Sequence, residues 1–450
     1  NLIVYFTDRI NDGYGFHPQS LAHFKAKGVS LIITVDVGIA DGGTVELAKG
    51  AGMDVIITDH HEFQDLPRTI TITGKRSKCD KLYHLCGAGV VFQLVKALRS
   101  YLFHRGFFAE KNAPRLKPYL EIACLATLAD MVPILGENRL ITYFGFRELE
   151  RSSFPAIRAM LGEQKYGLTE RDLQFSLIPR INACFRLGCP ELFFNFLKES
   201  DERKLTKHLE EIDSLNEERK GISVSLWEDV LEKLKEAERE KFVLVVDESL
   251  PKGHLGLLAQ RIKSLTGKPT IVLTGEGKEI LVGSARAPKD LNLLSILTQR
   301  KDIFVQIGGH AYAFGLKIKK AKLEELIHYL EESLRTYTPL EVECIYVDYE
   351  GSISEFFEEE NILALRELPP YGTGYDPPIV LLKKFEISRI KPFKERHCEV
   401  WLKDGFREVR SVLFNRKIEK EPLLLACVPY INSYSDSLEF RIEDFKDELE

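Results

Sequence analysis

The sequence predicts a multidomain α/β protein that ends in a small β-barrel. Two separate stretches alternate strand-like apolar runs with helical segments, which is the pattern of parallel sheets with crossover helices. After residue 336 the pattern changes to short strand-like runs without a long helix. A chain of 450 residues also exceeds the size of a single hydrophobic core, so several domains are expected.

The first α/β stretch is predicted from two Val/Ile-rich runs, 31–35 and 55–57. Both are interpreted as buried parallel strands, because such strands have nearly continuous apolar sequence. Residues 44–49 between them have the length and propensity of a crossover helix. The opening residues 1–6 are also strand-like, and residues 119–129 predict a helix that is apolar on most faces.

Metal-ligating residue types follow both strands. Asp36 follows the first run, and Asp59, His60 and His61 follow the second. Because α/β proteins build their sites at the carboxyl edge of the sheet, these side chains are expected side by side. Oxygen and imidazole ligands suit Mn²⁺ or Mg²⁺ better than a structural zinc. The alternative is that the histidines only terminate a strand.

A third carboxylate is predicted to join this site. Asp130 follows the helix 119–129, and a carboxylate at the exit of a buried helix is costly unless it is paired or binds a metal ion. We therefore predict that Asp36, His60 and Asp130 share one divalent ion.

A second α/β stretch carries residues that suit an anionic ligand. A predicted turn with Ser284 and Arg286 offers backbone N–H groups, a hydroxyl and a guanidinium. Gly308 and Gly309 allow the backbone to approach a ligand, and His310 can donate to phosphate or stack on a base. The alternative for His310 is a structural role inside a glycine turn.

An amphipathic helix is predicted between the two α/β stretches. Its apolar stripe has three- and four-residue spacing and consists of Leu205, Leu209, Ile212 and Leu215. A connector between domains is the simplest interpretation. A coiled-coil partner site is the alternative, although the heptads do not persist.

The last part of the chain predicts an OB-type barrel. Its five predicted strands are 340–346, 379–390, 398–402, 408–413 and 423–428. Basic residues interleave there with Phe385 and Phe393; they are Lys383, Lys384, Lys391, Lys394 and Arg396. This pattern suits single-stranded nucleic acid, or alternatively an ordinary exposed strand face.

Composition limits the classes of function. With 62 basic and 68 acidic residues the net charge is −6, so any nucleic-acid contact must come from local patches. The eight cysteines show no Cys-x-x-Cys spacing, which predicts reduced thiols in the cytoplasm. No apolar run reaches the length of a membrane span, so no membrane partner is expected.

These motifs together resemble the DHH phosphoesterase superfamily, whose namesake motif is Asp59-His60-His61, and within it the RecJ branch of single-strand-specific exonucleases. The segments that carry the RecJ resemblance are Arg9 with Gly13-Tyr14-Gly15, 85–92, 126–133, 179–186 and 368–374. The segments 283–286 and 308–311 resemble the DHH-associated substrate domain. The resemblance implies a DHH domain at 1–198, a connecting helix at 199–241, a DHH-associated substrate domain at 242–336 and an OB domain at 337–450.

The resemblance also implies the reaction, which is metal-dependent hydrolysis of single-stranded DNA from its 5′ end in DNA repair and recombination. It assigns His61, Asp59 and Arg9 to catalysis, and His61 would stabilise or protonate the leaving oxygen. Arg9 would hold the terminal phosphate. The expected contacts to phosphate and nucleic acid are Arg9, Arg186, Ser284, Arg286, Gly308, Gly309 and His310. Single-stranded DNA is the expected partner, with a single-strand-binding protein or a helicase as further partners.

Two other functions stay open at this point. One is a DHH enzyme that cleaves short RNA or phosphorylated nucleotides, although such enzymes usually end before an OB domain. The other is a non-catalytic RecJ relative that binds single-stranded DNA, which is favoured by Phe185 where the family usually has glycine. The family's Asp-x-Asp-Gly motif, which completes a two-ion site, is missing from this sequence. We therefore expect this chain to bind one ion and to have little nuclease activity.

Overall fold

The computed structural model describes residues 2–7, 15–63, 65–76, 80–109, 112–162, 168–338, 345–393, 397–418, 422–432 and 435–446. The chain forms two compact units. The first unit comprises 1–114, 154–160 and 176–341, and the second comprises 115–153, 161–175 and 342–450. The second unit thus combines helices from the N-terminal half with the C-terminal sheet, which was not predicted from the sequence.

The elements are numbered in chain order. The helices are α1 (Gln19–Ala26), α2 (Gly42–Gly50), α3 (Asp80–Tyr83), α4 (Gly87–His104), α5 (Tyr119–Ala129), α6 (Glu137–Leu149), α7 (Pro155–Leu161), α8 (Glu170–Asp172), α9 (Ile178–Arg186), α10 (Pro190–Lys198), α11 (Glu202–Ala237), α12 (Leu255–Thr266), α13 (Leu293–Leu297), α14 (Leu323–Ser333) and α15 (Glu359–Glu367). The strands are β1 (Leu31–Val35), β2 (Asp54–Thr58), β3 (Ile70–Ile72), β4 (Val243–Val246), β5 (Thr270–Glu276), β6 (Ile280–Arg286), β7 (Phe304–His310), β8 (Ala313–Lys319), β9 (Tyr349–Gly351), β10 (Val380–Leu382), β11 (Glu386–Phe393), β12 (His397–Asp404), β13 (Arg407–Leu413), β14 (Leu424–Asn432) and β15 (Ser437–Lys446).

The first sheet has the parallel order β1-β2-β3, with α2 as the crossover helix. This confirms the predicted strand pair and helix. The prediction that β1 is buried on both faces is wrong: Leu31, Ile33 and Val35 are exposed, and only the alternate side chains Ile32 and Thr34 are buried. The reason is that, among the described residues, only one face of β1 packs into the core.

The expected strand at the start of the chain is also not found. Residues 2–7 have no strand hydrogen bonding in the described structure. A strand forms only where its backbone groups have a partner, and this segment is instead anchored by its rings. Tyr5 packs edge-on against Phe24, and Phe6 packs against Phe185 and Phe194.

The second sheet has the order β4-β5-β6-β8-β7 and is parallel only between β4 and β5. The predicted connector is the 36-residue helix α11, whose Val230 and Leu234 pack into the core beside β4. The predicted turns in this region are wrong. Ser284 and Arg286 lie within β6, because Gly283 lets that strand pack closely: an added Cβ would lie 2.4 Å from the Val272 oxygen on β5.

Gly308, Gly309 and His310 likewise form the end of β7 rather than a glycine turn. Gly309 has φ +140°, and its added Cβ would lie 2.7 Å from the Phe314 Cα on β8, so this glycine is required by the sheet itself. In contrast, nothing lies within 4 Å of the Cβ position of Gly308. The backbone therefore stays accessible at Gly308.

In the second unit, α5 and α6 pack at close range. A Cβ on Gly145 would lie 2.3 Å from the Leu120 oxygen, so only glycine permits this approach.

The C-terminal sheet has the order β11-β12-β13-β15-β14-β10-β9. The predicted strand 379–390 is divided into β10 and β11, and most of 340–346 lies outside the described residues.

Three elements of this part of the chain were missed from the sequence, the helix α15 and the strands β9 and β15. β15 lies between β13 and β14 although it is rich in charged residues. The charge is tolerated because buried Glu439 accepts hydrogen bonds from Arg410 at 2.8 Å and Tyr430 at 2.7 Å. None of the helices among the described residues combines the length and the apolar sequence that a membrane span requires.

Candidate metal centre and phosphate site

The carboxyl edge of the first sheet brings the predicted metal ligands together. Val35 and Thr58 are paired across β1 and β2, and the Asp36 N–H donates to the Thr58 carbonyl at 2.9 Å. Asp36 has φ 64°, a left-handed conformation that non-glycine residues rarely adopt. Such conformations are concentrated at functional sites, where surrounding contacts hold them in place.

Three side chains at this edge are close enough to bind one ion. Each of Asp36, His60 and His61 offers a ligand atom within 4.8 Å of the other two. The His60 Nε2 atom lies 3.2 Å from Asp36 Oδ1. One carboxylate and two imidazoles fit a borderline divalent cation such as Mn²⁺. The structure thus brings His61, which was predicted to be catalytic, into the potential ligand group.

Gly87, at the start of α4, makes room for this group. An added Cβ would lie 2.2 Å from Asp36 Oδ1, far inside contact distance. Gly87 belongs to the segment 85–92, which carries part of the family resemblance. Any side chain at this position would displace the Asp36 carboxylate.

Asp59 orients the two histidines. Its side chain is buried and accepts hydrogen bonds from the backbone N–H groups of Ile39 at 3.0 Å, His60 at 2.7 Å and His61 at 3.2 Å. The His61 Nδ1 atom also lies 2.7 Å from Asp59 Oδ1. Burial alone would raise the pKa of Asp59, but the hydrogen bonds from His61 and Ile39 lower it below its ordinary value. With these contacts Asp59 acts as a positioning residue that fixes the orientation of His60 and His61.

His310 from the second α/β region lies beside the same histidines. Its ring centroid is 6.0 Å from those of His60 and His61, and it is stacked on His61 at an interplanar angle of 28°. Burial lowers the pKa of His310, and the neighbouring histidines lower it further, which favours the neutral imidazole. The two α/β regions of the first unit therefore meet at this edge.

A cationic cluster lies at the first turn of α12. The Arg286 Nη1 atom donates to Ser284 Oγ at 3.0 Å, and its Nη2 lies 2.9 Å from the Cβ position of Gly256. The Arg186 Nη1 atom donates to the Gly253 carbonyl at 3.3 Å, just before the helix. Phe185, which stands where the family usually has glycine, and Arg186 both lie in α9. Phe185 packs against Phe6 and Phe193, so the helix accommodates its bulk.

His254 adds to this cluster and was missed from the sequence. It is buried at the N-terminus of α12, and neither ring nitrogen has a hydrogen-bond partner in the described structure. Burial lowers the pKa of His254, and the charges of Arg186 and Arg219 lower it further. Positive charges beside the positive end of a helix dipole are unfavourable, and a bound anion offsets this cost. The cluster therefore suits a phosphate group.

The remaining predicted residues are placed as follows. Asp130 belongs to the second unit, where it directly follows α5; it is exposed rather than buried, and Met131 after it has φ 55°. Arg9 lies outside the described residues, as do Lys394 and Arg396.

Three family models match successive parts of the chain. The DHH family N-terminal domain matches residues 2–127, the DHHA1 domain matches 239–336 and the RecJ OB domain matches 347–444. The last match confirms the OB prediction for the C-terminal part. A crystal structure of RecJ in complex with Mn²⁺ from Thermus thermophilus has a TM-score of 0.79 at 24% identity, covering 96% of this chain and 64% of that chain. This similarity shows the fold.

Sequence relatives agree with these matches. The single-stranded-DNA-specific exonuclease RecJ of Salmonella typhimurium is 30% identical over 419 residues, covering 89% of this chain and 72% of the relative. The RecJ of Bacillus subtilis is 30% identical over 424 residues, covering 92% of this chain and 52% of the relative. This chain thus spans about half the length of the Bacillus protein. The chain belongs to the RecJ family of DHH-domain proteins.

Proposed function

We propose that this protein is a metal-dependent exonuclease that hydrolyses single-stranded DNA from a 5′ end in DNA repair and recombination. The observation that carries the proposal is the juxtaposition of Asp36, His60 and His61 at the carboxyl edge of the first sheet. The single-strand specificity stated in the names of its relatives supports the substrate class. The division into 1–198, 199–241, 242–336 and 337–450 is part of the same proposal.

We assign Asp36, His60 and Asp130 to binding Mn²⁺ or Mg²⁺. A divalent ion at such a site neutralises charge on phosphate oxygens and activates water for in-line attack. His61 is held by Asp59 through Nδ1, so its Nε2 is directed away from that carboxylate. This orientation suits a ligand role or proton donation to the leaving oxygen. Arg9 completes the proposed catalytic group.

The cluster at α12 is the proposed site for the terminal 5′ phosphate. Arg186, Ser284 and Arg286 supply charge-assisted donors, and the helix N-terminus adds a favourable dipole. Gly308, Gly309 and His310 are assigned to the adjoining strand of nucleic acid. The accessible backbone at Gly308 and the stacking of His310 on His61 support this assignment.

Residues of α8, the helical turn after it and the C-terminal sheet together form the proposed surface for unpaired bases. The Arg171 guanidinium lies 5.0 Å from the Phe414 ring and 5.6 Å from the Phe175 ring, which is largely exposed. Phe393 and His397 pack beside Phe414. Exposed aromatic rings with a cation nearby stack on bases of single strands without sequence preference.

The setting and protein partners are also proposals. Cys184, Cys189, Cys398 and Cys427 are free thiols in the structure, which supports a reducing cytoplasmic setting. A single-strand-binding protein or a helicase is the proposed protein partner, by resemblance to the family.

A nuclease assay tests the proposed function. Labelled 5′-phosphorylated single strands are incubated with Mn²⁺ or Mg²⁺, beside duplex DNA, short RNA and a dinucleotide. We expect slow hydrolysis of the long single strand, in keeping with the little nuclease activity expected of this chain, and its loss in Asp36→Ala. Faster hydrolysis of the dinucleotide would favour a DHH enzyme for short substrates. Binding of single strands without hydrolysis would favour a non-catalytic relative.

Replacement of Arg286 by lysine tests the phosphate site. Lysine keeps the charge but loses the fork of donors that matches a phosphate. Arg286→Lys should therefore lower the preference for 5′-phosphorylated over 5′-hydroxyl strands in the same assay. Lys263→Arg, an exchange on the last turn of α12, is the control. An unchanged preference in Arg286→Lys would contradict the assignment.

A further inference from the structure

The turn that carries Asp130 is held by a segment more than two hundred residues later in the chain. Ile134, four residues after Asp130, donates its N–H to the Thr373 carbonyl at 2.7 Å. Ile134 is buried, and an added Cβ on Gly372 would lie 2.3 Å from its Cδ1 atom. The segment 368–375 therefore packs directly against the residues that follow Asp130.

Arg139 on α6 binds this segment through its backbone. The Nη1 atom donates to the Pro370 carbonyl at 2.8 Å, and Nη2 donates to the Leu368 carbonyl at 2.6 Å. Its guanidinium also lies 4.3 Å from the centroid of the Tyr375 ring. We call Arg139 with residues 368–375 the clamp. One side chain thus holds both ends of the segment that contacts Ile134.

The turn needs such support because its backbone is strained. Met131, directly after Asp130, has φ 55°, where a bulky L-residue is a rare outlier. Conformations of this kind cost about 1–3 kcal/mol and persist only when the surrounding contacts impose them. The clamp supplies those contacts on the C-terminal side of the turn. On the other side, Asp130 caps α5 through its N–H bond to the Ala126 carbonyl at 2.9 Å.

We propose that Arg139 is a positioning residue, which sets the orientation of Asp130 for metal binding by clamping the segment 368–375 against the Asp130–Ile134 turn. This inference rests on the proposed function, because it takes Asp130 as a metal ligand. Arg139 touches neither substrate nor metal in this account. It links a segment within the proposed OB domain to Asp130, which lies in the proposed DHH domain.

The test compares Mn²⁺ affinity by titration calorimetry in Arg139→Ala and Arg147→Ala. Arg147 lies on the same helix but pairs with the side chain of Glu367 at 2.7 Å instead of gripping the backbone. We expect Arg139→Ala to weaken Mn²⁺ binding about tenfold or more, as loss of a residue that orients a ligand does. It should also lower kcat on single strands with little change in KM. Arg139→Lys, which keeps one donor group, should recover part of the affinity. Arg147→Ala should stay within about twofold of the wild type.

Combining the Arg139 and Asp130 substitutions distinguishes a positioning role of Arg139 from a general effect on the stability of the protein. In an Asp130→Ala background, Arg139→Ala should cause no further loss of Mn²⁺ affinity, because its effect acts through Asp130. Additive losses would overturn the inference. So would an Arg139→Ala protein that unfolds at a lower temperature but binds Mn²⁺ like the wild type when folded. If Arg139→Ala does not fold, Gly372→Ala applies the same test through the contact with Ile134, and unchanged Mn²⁺ affinity there overturns the inference.

The wild-type protein separates failure of this inference from failure of the proposed function. A wild type that binds no Mn²⁺ would overturn the metal centre and this inference with it. A wild type that binds Mn²⁺ but hydrolyses no DNA would overturn the exonuclease proposal alone. The Mn²⁺ affinities of the Arg139 variants would still test the role of the clamp.

Discussion

The edge of the first sheet and the clamp on α6 hold residues of the proposed site in different ways. At the edge, Asp59 orients His60 and His61 through bonds between consecutive residues. At the clamp, Arg139 bonds to Pro370, 231 positions later in the chain. The first arrangement is local and needs only a strand end. The second exists only when the C-terminal segment is folded against α6, so metal binding can depend on a distant part of the chain.

The largest effect should come from breaking the local arrangement at Gly87. A methyl group there would lie 2.2 Å from Asp36 Oδ1, so the carboxylate must move. We expect Gly87→Ala to reduce Mn²⁺ affinity and nuclease activity by about 100-fold, the upper range for disturbed metal sites. Gly43→Ala is the matched control, because nothing lies within 4 Å of that Cβ position. Equal Mn²⁺ affinity in the two variants would show that Asp36 is not a ligand.

A smaller effect should follow from Asp59→Asn, which keeps the shape of the side chain but replaces one acceptor oxygen by a donor. One of the bonds from Ile39, His60 or His61 is then lost. We expect kcat to fall about tenfold, as for residues that orient metal ligands. Asp54→Asn, at the exposed opposite end of β2, should leave kcat unchanged. Equal kcat values in the two variants would contradict the orienting role of Asp59.

These two regions also show what the sequence can predict. Strands 31–35 and 55–57, and the cluster at their ends, are predictable because apolar periodicity and parallel pairing fix where Asp36 and His60 must lie. Ser284 was expected in a turn, because a glycine that serves close strand packing has the same sequence pattern as one that serves a turn. Arg139 carries no local signal at all, since its partners are backbone carbonyls of a distant segment.

The smallest expected effect is a change in Tm at the ion pair of Asp247. This pair has a structural role and serves for comparison. Burial would raise the pKa of Asp247, but hydrogen bonds from Lys233 and Ser249 lower it to about 2. An unfolded aspartate has a pKa of roughly 3.9, so the stabilisation is complete above that pH and is lost as the pH falls towards about 2. The difference in Tm between wild type and Asp247→Asn should therefore shrink over this range. A difference independent of pH would contradict the prediction.

The central claim is that Asp36 and His60 at the edge of the first sheet bind the divalent ion. A crystal structure of the protein soaked in Mn²⁺, with anomalous scattering to locate the ion, tests this most directly. We predict an ion about 2–2.6 Å from Asp36 Oδ1 and His60 Nε2, which is the ordinary range for metal ligands. Bound Mn²⁺ elsewhere, with both side chains more than about 5 Å away, would contradict the claim, because ligand atoms lie within roughly 2.6 Å.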